Sequence, residues 1–296
     1  MRNKLYETML GVAIGDALGV PAEFTGRNTL KKRPITDMVG GGVWDQPPGT
    51  WSDDTAMMLA TFQALRDNKF NIGKKTLEDI MNNFLLWYKD GKFACCGYRF
   101  DIGNTCREAI YQYDIHRDVF SCGCTGEDRS GNGALMRIAP AMIYSENAIE
   151  KLTQLTHNTK PCIEVSKTYI KFLEILMDND KETSFKLLVD YIKFTKKEYI
   201  PRLYSEEFCR LDENLIKSGG YAVHTLEAAI WCFMNTDTYS ECVLKAVNLG
   251  DDTDTTAAVA GGIAGLYYGI NEINGIPQKW INQLRDKETF DKICKL

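Results

Sequence analysis

Apolar residues recur along this chain with the period of a helix, not of a strand. Leu77, Ile80, Met81, Phe84, Leu85 and Tyr88 fall at i, i+3, i+4, i+7, i+8 and i+11, one stripe along a helix face. Leu226, Ala229, Ile230 and Phe233 repeat the pattern, as do Val243, Leu244 and Val247 behind a Ser240 cap. Cys162, Tyr169, Leu173 and Leu176 mark another helix, opening near Pro161. A further apolar helix is expected over Thr55–Leu65, and the polar stretch Asp178–Lys197 reads either as a helix with a solvated face or as an insertion. Alternating runs bounded by hairpin signals are scarce, and no linker or internal repeat divides the chain. The expectation is an all-α fold, a compact single-domain multi-helix bundle over residues 1–296.

Small residues make a second pattern. Gly11, Gly15 and Gly19 recur every four residues in GVAIGDALGVPAEF, and Ala257, Gly261, Gly265 and Gly269 do the same near the C-terminus. Glycine inside a helix costs about 1 kcal/mol each, so a side-chain-poor face implies close approach of another backbone. Asp16 lies within the first of these stretches and needs a partner, because a buried unpaired carboxylate is strongly unfavourable. Capping or bonding to a neighbouring helix end is the preferred role for it. Glu23 follows a Pro turn, which suits either a mobile active-site acid or a plain surface residue.

Two acidic knots break the apolar pattern. Ser52-Asp53-Asp54-Thr55 precedes one predicted helix and Asp251-Asp252-Thr253-Asp254-Thr255-Thr256 precedes another, with Thr256 starting it. Each mixes carboxylates and hydroxyls with Gly and small apolar residues, unlike a solvated charge run. Taken singly, either knot is explained by an N-cap and a favourable helix dipole. Taken together they suggest two halves of one binuclear metal cleft, since clustered carboxylates repel unless something positive lies between them. Oxygen-only donors suit hard cations such as Mg²⁺, Mn²⁺ or Ca²⁺. For the knots to share a site the chain must fold back on itself.

Composition narrows the partners. A net charge of -5 argues against non-specific nucleic-acid binding. The first residues, MRNKLYETMLGVAIGDALGV, are interrupted by Glu7 and Asp16 and make a poor signal peptide. No uninterrupted apolar run approaches a membrane span; Ala257–Ile270 is too short and too rich in Gly. The ten cysteines form no CxxC pair and only His116, His157 and His224 accompany them, so neither zinc nor a disulfide framework is indicated. Reduced thiols, a cytoplasmic location and a monomer are expected.

Three loops are too rich in Gly and small polar residues to be plain connectors: Asp101-Ile102-Gly103-Asn104-Thr105, Gly131-Asn132-Gly133-Ala134-Leu135-Met136-Arg137 and Ser218-Gly219-Gly220-Tyr221. Free N–H groups at glycines cradle phosphates, although GNG is also a turn sequence. Tyr221 either stacks on a base or simply packs.

The set GVAIGDALGVPAEF, GTWSDDTAMML, FDIGNTCREAI, RSGNGALMRIAP, LTHNTKP, GGYAVHTLEAAIW and NLGDDTDTTAAVAGGIAGLYYG resembles the ADP-ribosylglycohydrolase family, in family order from about residue 5 to residue 270. The resemblance implies an all-α fold with two Mg²⁺ or Mn²⁺ ions in a cleft. It implies hydrolysis of the bond between ADP-ribose and a modified protein side chain, commonly arginine, with ADP-ribose as product. Carried over motif by motif, the metal ligands are Ser52, Asp53, Asp54, Asp252, Asp254 and Thr255, with Asp251 as an outer neighbour. Asp101, Gly103 and Asn104 correspond to a ribose-side loop, Gly131, Asn132 and Gly133 to a phosphate-side loop, and Tyr221 to an aromatic near the adenosine. His157, at a helix start, is expected to be structural.

The expected chemistry is cation-assisted hydrolysis in which Asp252 or Asp254 orients water or accepts its proton, with Glu23 as a further catalytic acid. Carboxylates would stabilise an oxocarbenium-like sugar; ring opening before C–N cleavage is a variant route. Other ADP-ribose linkages (serine, an acetylated ribose, nucleic acid) and a non-catalytic ADP-ribose-binding protein are the alternatives. A prenyl synthase fits poorly, because DDTDT is not DDxxD and no basic pair follows it.

Overall fold

A computed structural model describes residues 2–295. In chain order the helices are α1 (Arg2–Gly19), α2 (Arg27–Leu30), α3 (Asp53–Asp67), α4 (Lys74–Asp90), α5 (Asn104–His116), α6 (Glu146–Gln154), α7 (Lys160–Leu176), α8 (Lys181–Thr195), α9 (Ala222–Met234), α10 (Tyr239–Asn248), α11 (Thr253–Tyr268), α12 (Gln278–Gln283) and α13 (Lys287–Cys294). Among the described residues no strand forms, only isolated bridges such as Gly131 with Tyr221 and Cys124 with His157. The protein is all-α.

The centre of the molecule is the antiparallel pair α1 and α11, and glycine is what brings them together. A Cβ at Gly11 would lie 2.1 Å from the Gly261 carbonyl oxygen, and one at Gly15 would lie 2.1 Å from that of Ala257. A Cβ at Gly19 would meet the Asp254 backbone at 2.3 Å, and one at Gly265 the Glu7 carbonyl at 2.5 Å. The two small-residue stripes are therefore each other's partner. Gly269 belongs to a different device: at φ 65° it ends α11 and does not pack within it. Both helices are buried nearly all round, as central helices are.

Amphipathic helices surround this pair. α4 buries Leu77, Ile80, Met81, Phe84 and Leu85, the stripe read from the sequence. The polar stretch after Asp178 is a helix, α8, with Asp180 as its cap and Phe185, Leu188, Val189 and Ile192 on the buried face. The start of α10 differs from expectation. Thr238, not Ser240, is its cap: Thr238 Oγ1 accepts from the Glu241 N–H at 3.1 Å, and Ser240 lies inside the helix. The Thr-x-x-Glu spacing that favours this start was present in the chain.

Candidate active site

Helix starts set the site. α3 begins at Asp53 instead of Thr55, so both aspartates of the first knot ride on its first turn, capped by Ser52 Oγ accepting from the Asp54 N–H at 3.4 Å. α11 begins at Thr253, three residues ahead of Thr256, which puts Asp254 on its first turn and Asp252 at the N-cap. Amide-rich, electropositive helix ends thus meet both knots. The register between the helices comes from Asp16 of α1. Its carboxylate accepts from the Ser52 N–H at 2.9 Å, the Thr55 N–H at 3.0 Å and Thr55 Oγ1 at 2.6 Å. Asp16 holds down the start of α3, the helix-end role expected for it.

The knots meet. Thr255 Oγ1 donates to Asp54 Oδ2 at 3.3 Å, across 201 residues of sequence, and Ser52 Oγ donates to the same oxygen at 3.1 Å. In front of them opens a cavity of about 350 Å³ lined by Glu23, Phe24, Asp53, Asp101, Ile102, Gly103, Asn104, Gly131, Asn132, Gly133, His157, Gly220, Asp252 and Thr255, among others. Asn132 Nδ2 donates to Asp252 Oδ2 at 2.9 Å and to Thr225 Oγ1 at 3.0 Å, tying the glycine loop to the second knot. That loop is a short 3₁₀ turn, Asn132–Ala134, with the Asn132 N–H held by the Gly220 carbonyl. Asp54 and Asp254 lie behind the cavity wall, each 1% exposed.

Two predicted residues stand elsewhere. Asp251 is exposed with φ 65°; its backbone, not its carboxylate, is engaged, donating to the Thr25 carbonyl and accepting from the Phe24 N–H. A left-handed residue just before the N-cap leaves its side chain in solvent, so Asp251 is no outer neighbour of the buried acidic cluster. Tyr221 lies in the adjoining groove with Ser130, Lys160, Pro161 and Tyr199, its ring edge-on to His224. It borders the central cavity through its neighbour Gly220 and through its bridge to Gly131.

The electrostatics are those of a site short of positive charge. Burial, then the charges of Asp101, Asp16 and Glu23, hold Asp53 well above the ordinary carboxylate range. Burial and neighbouring acids do the same to Asp54 and Asp254, and burial raises Asp101 and Asp252. Glu23 is pushed up to about 8 by burial first and by Asp101 next, against the lowering effect of the Trp44 Nε1–H that donates to it. Asp16 rises only to about 6, because its three donors offset much of its burial. Among the described residues none of these acids joins an ion pair. Asp54 Oδ1 and Asp254 Oδ2 are buried with no hydrogen-bond partner at all.

An all-oxygen donor set with orphaned carboxylate oxygens fits hard divalent cations. Asp16, Asp54 and Asp254 offer oxygens within 4.8 Å of one another, and Glu23, Asp101 and Asp254 form a second such group sharing Asp254. Asp16 is already committed to α3, which leaves the two knots and Asp101 as the natural donors.

Several residues around the site had no role in the sequence reading. Arg137 is fully buried; one of its Nη groups donates to Thr156 Oγ1 at 2.9 Å and to the Leu152 carbonyl at 3.1 Å, and its plane lies 5.0 Å from the centre of the Phe84 ring. Thr156 Oγ1 is 2.8 Å from His157 Nδ1. The Thr156 hydroxyl thus links the Arg137 guanidinium, which can only donate, to Nδ1 of the ring. Burial and the nearby Arg137 charge push His157 down to about 3, so this wall of the cavity presents a neutral imidazole. Arg137 and Thr156 did stand within the motifs RSGNGALMRIAP and LTHNTKP. Phe24 likewise ends the motif GVAIGDALGVPAEF, whereas Trp44 carried no local signal.

Comparison with known proteins agrees with this geometry. A family model described as ADP-ribosylglycohydrolase matches residues 1–296. ADP-ribosylarginine hydrolase Tri1 of Serratia proteamaculans (strain 568) is 32% identical, over 99% of this chain and 78% of that protein. ADP-ribosyl-[dinitrogen reductase] glycohydrolase of Rhodospirillum rubrum is 29% identical, over 96% of this chain and 91% of that protein. A solved structure titled ADP-ribosylglycohydrolase-related protein complex superposes with a TM-score of 0.79 at 28% identity, covering 99% of this chain and 96% of that one.

Proposed function

Because the chain belongs to the ADP-ribosylglycohydrolase family, and is therefore a glycosidic-bond hydrolase, we propose that it releases ADP-ribose from N-linked ADP-ribosyl-arginine on a protein. The arginine linkage is drawn from relatives named as ADP-ribosylarginine hydrolases. The observation that carries the reading is the meeting of two acidic knots whose Asp54 Oδ1 and Asp254 Oδ2 have no partner within the protein.

Ser52, Asp53, Asp54, Asp252, Asp254 and Thr255 would hold two Mg²⁺ or Mn²⁺ ions. When bound, such ions supply Lewis-acid charge to the ribose hydroxyls and to water beside the anomeric carbon. Asp252, oriented by Asn132, accepts the proton of the attacking water, with Asp254 the alternative base. In the cation-free protein burial raises the Glu23 pKa to about 8, and the side chain faces the cavity, which suits it to donate to the departing guanidine nitrogen. The anomeric C–N bond breaks as the C–O bond forms, and arginine and ADP-ribose are the products. Positive charge on the sugar is met by the carboxylates on either side of it. Asp101, Gly103 and Asn104 bind the ribose side, Gly131, Asn132 and Gly133 the phosphates, and Tyr221 the adenosine side.

The ten cysteines are all free thiols, in keeping with action in the cytoplasm. No described helix is long and apolar enough to cross a membrane. The test is a panel of defined ADP-ribose linkages (arginyl, seryl, O-acetyl and DNA-linked), each with and without chelator. Cation-dependent release from the arginyl substrate is expected. Preference for another linkage, or indifference to chelator, would contradict the reading.

A further inference from the structure

Phe24 follows Glu23 at the mouth of the cavity, and it is 66% exposed. Its backbone is left-handed, φ 61°, which a bulky side chain adopts only at a cost. Strain of this kind gathers at functional sites. The conformation is clamped on both sides of the residue. The Phe24 N–H donates to the Asp251 carbonyl at 2.8 Å, and the Asp251 N–H donates to the Thr25 carbonyl at 3.0 Å. The fold therefore holds a large apolar ring out in water at the edge of an acidic cavity.

The ring is not alone. Trp44 lies behind it with ring centres 6.3 Å apart, and Phe100 lies 5.8 Å beyond Trp44. Trp44 also donates its Nε1–H to the Glu23 carboxylate, and Phe100 immediately precedes Asp101. An aromatic rim and two carboxylates are thus built from the same short segments. The cavity lining contains no lysine or arginine. A cation with a flat, weakly hydrated face is complementary to such a mouth, and a guanidinium is that group. An arginine that carries a sugar on its side-chain nitrogen keeps its positive charge. Its sugar enters the cavity while its guanidinium and stem remain at the rim.

Resting on the arginyl-substrate reading, we propose that Phe24, backed by Trp44 and Phe100, is the arginine subsite: the modified guanidinium stacks on the Phe24 ring, with the Asp101 carboxylate of the same cavity as its counter-charge. Selectivity for arginine over uncharged acceptor side chains follows from this rim, and ADP-ribose, which lacks the guanidinium, makes no use of it.

The test compares Phe24→Ala, Phe24→Leu and Phe24→Trp with the native enzyme, all with Mg²⁺ present. It measures KM and kcat on an ADP-ribosyl-arginine peptide and Kd for ADP-ribose. Phe24→Ala and Phe24→Leu should raise KM about three- to tenfold, as loss of one cation–π contact does. ADP-ribose affinity should be unchanged, and Phe24→Trp should restore KM. Leucine matching the native KM would overturn the stack, because it keeps apolar area without the ring's charge distribution. Equal losses for peptide and for ADP-ribose would overturn it as well. Native enzyme that leaves the arginyl peptide intact while cleaving another linkage would remove the arginine reading itself, and the subsite with it.

Discussion

The two acidic knots look alike in sequence and are built differently. In the first, Ser52 takes the cap and bonds the helix, so both following aspartates fall on the first turn and face inward, 6% and 1% exposed. In the second, the left-handed turn at Asp251 sends that side chain to solvent. Asp252 takes the N-cap position without bonding the helix, leaving its carboxylate for Asn132 and the cavity. A pair of adjacent acids is therefore not a functional unit. Helix phase decides which carboxylate reaches the site.

Removing one acid of each adjacent pair separates a carboxylate that reaches the site from one that does not. Asp54→Ala should cost at least about a thousandfold in turnover, because it removes a proposed cation donor from the site. Asp251→Asn should stay within about twofold, as a surface change does. Asparagine also tolerates the left-handed backbone. Activity assays on both variants at saturating Mg²⁺ would decide; comparable losses would erase the distinction drawn here.

The helices behind the knots differ too. α11 and α1 approach closely at glycines of both helices, whereas α3 buries Ala56 and Ala60. Gly15→Ala places a methyl 2.1 Å from the Ala257 carbonyl and should destabilise by about 3 kcal/mol. Ala60→Gly in α3 should cost about 1 kcal/mol. Urea unfolding of the two variants measures the difference, and equal midpoints would contradict the close-packed pairing.

A smaller effect is expected from pH. Glu23 and the knot aspartates have folded-state pKa values raised above their ordinary values, Glu23 from 4.5 to about 8. The folded protein then binds more protons than the unfolded chain over that interval, so stability falls as pH rises through it. Thermal melts of chelator-treated protein should drop between about pH 5 and pH 8, and Mg²⁺ should flatten the slope. A metal-free melting temperature that climbs over this range would have the sign wrong.

Much of this was legible locally. The α4 stripe, the glycine periods and the need of Asp16 for a partner follow from one stretch of chain each. Helix starts were less so: Asp53 and Thr253 begin their helices two or three residues before the apolar run does, because capping and dipole favour acids in a first turn. Thr238 carries a Thr-x-x-Glu spacing of its own, and Ser240, two residues on, competes with it as a cap in the sequence. Non-local features stayed hidden. Nothing near Trp44 announces that its indole meets Glu23, and nothing near Arg137 announces that it fixes the ring of His157 through Thr156. These contacts exist only once the loops are folded over the α1–α11 pair.

The central claim is that residues 201 positions apart, Asp54 and Thr255, stand at one shared cation site. Calorimetric titration of chelator-treated protein with Mn²⁺ tests it directly, using Asp54→Asn and Asp254→Asn beside the native chain. Loss of the same binding event in both variants is the predicted result. Native affinity and stoichiometry in either variant would contradict it.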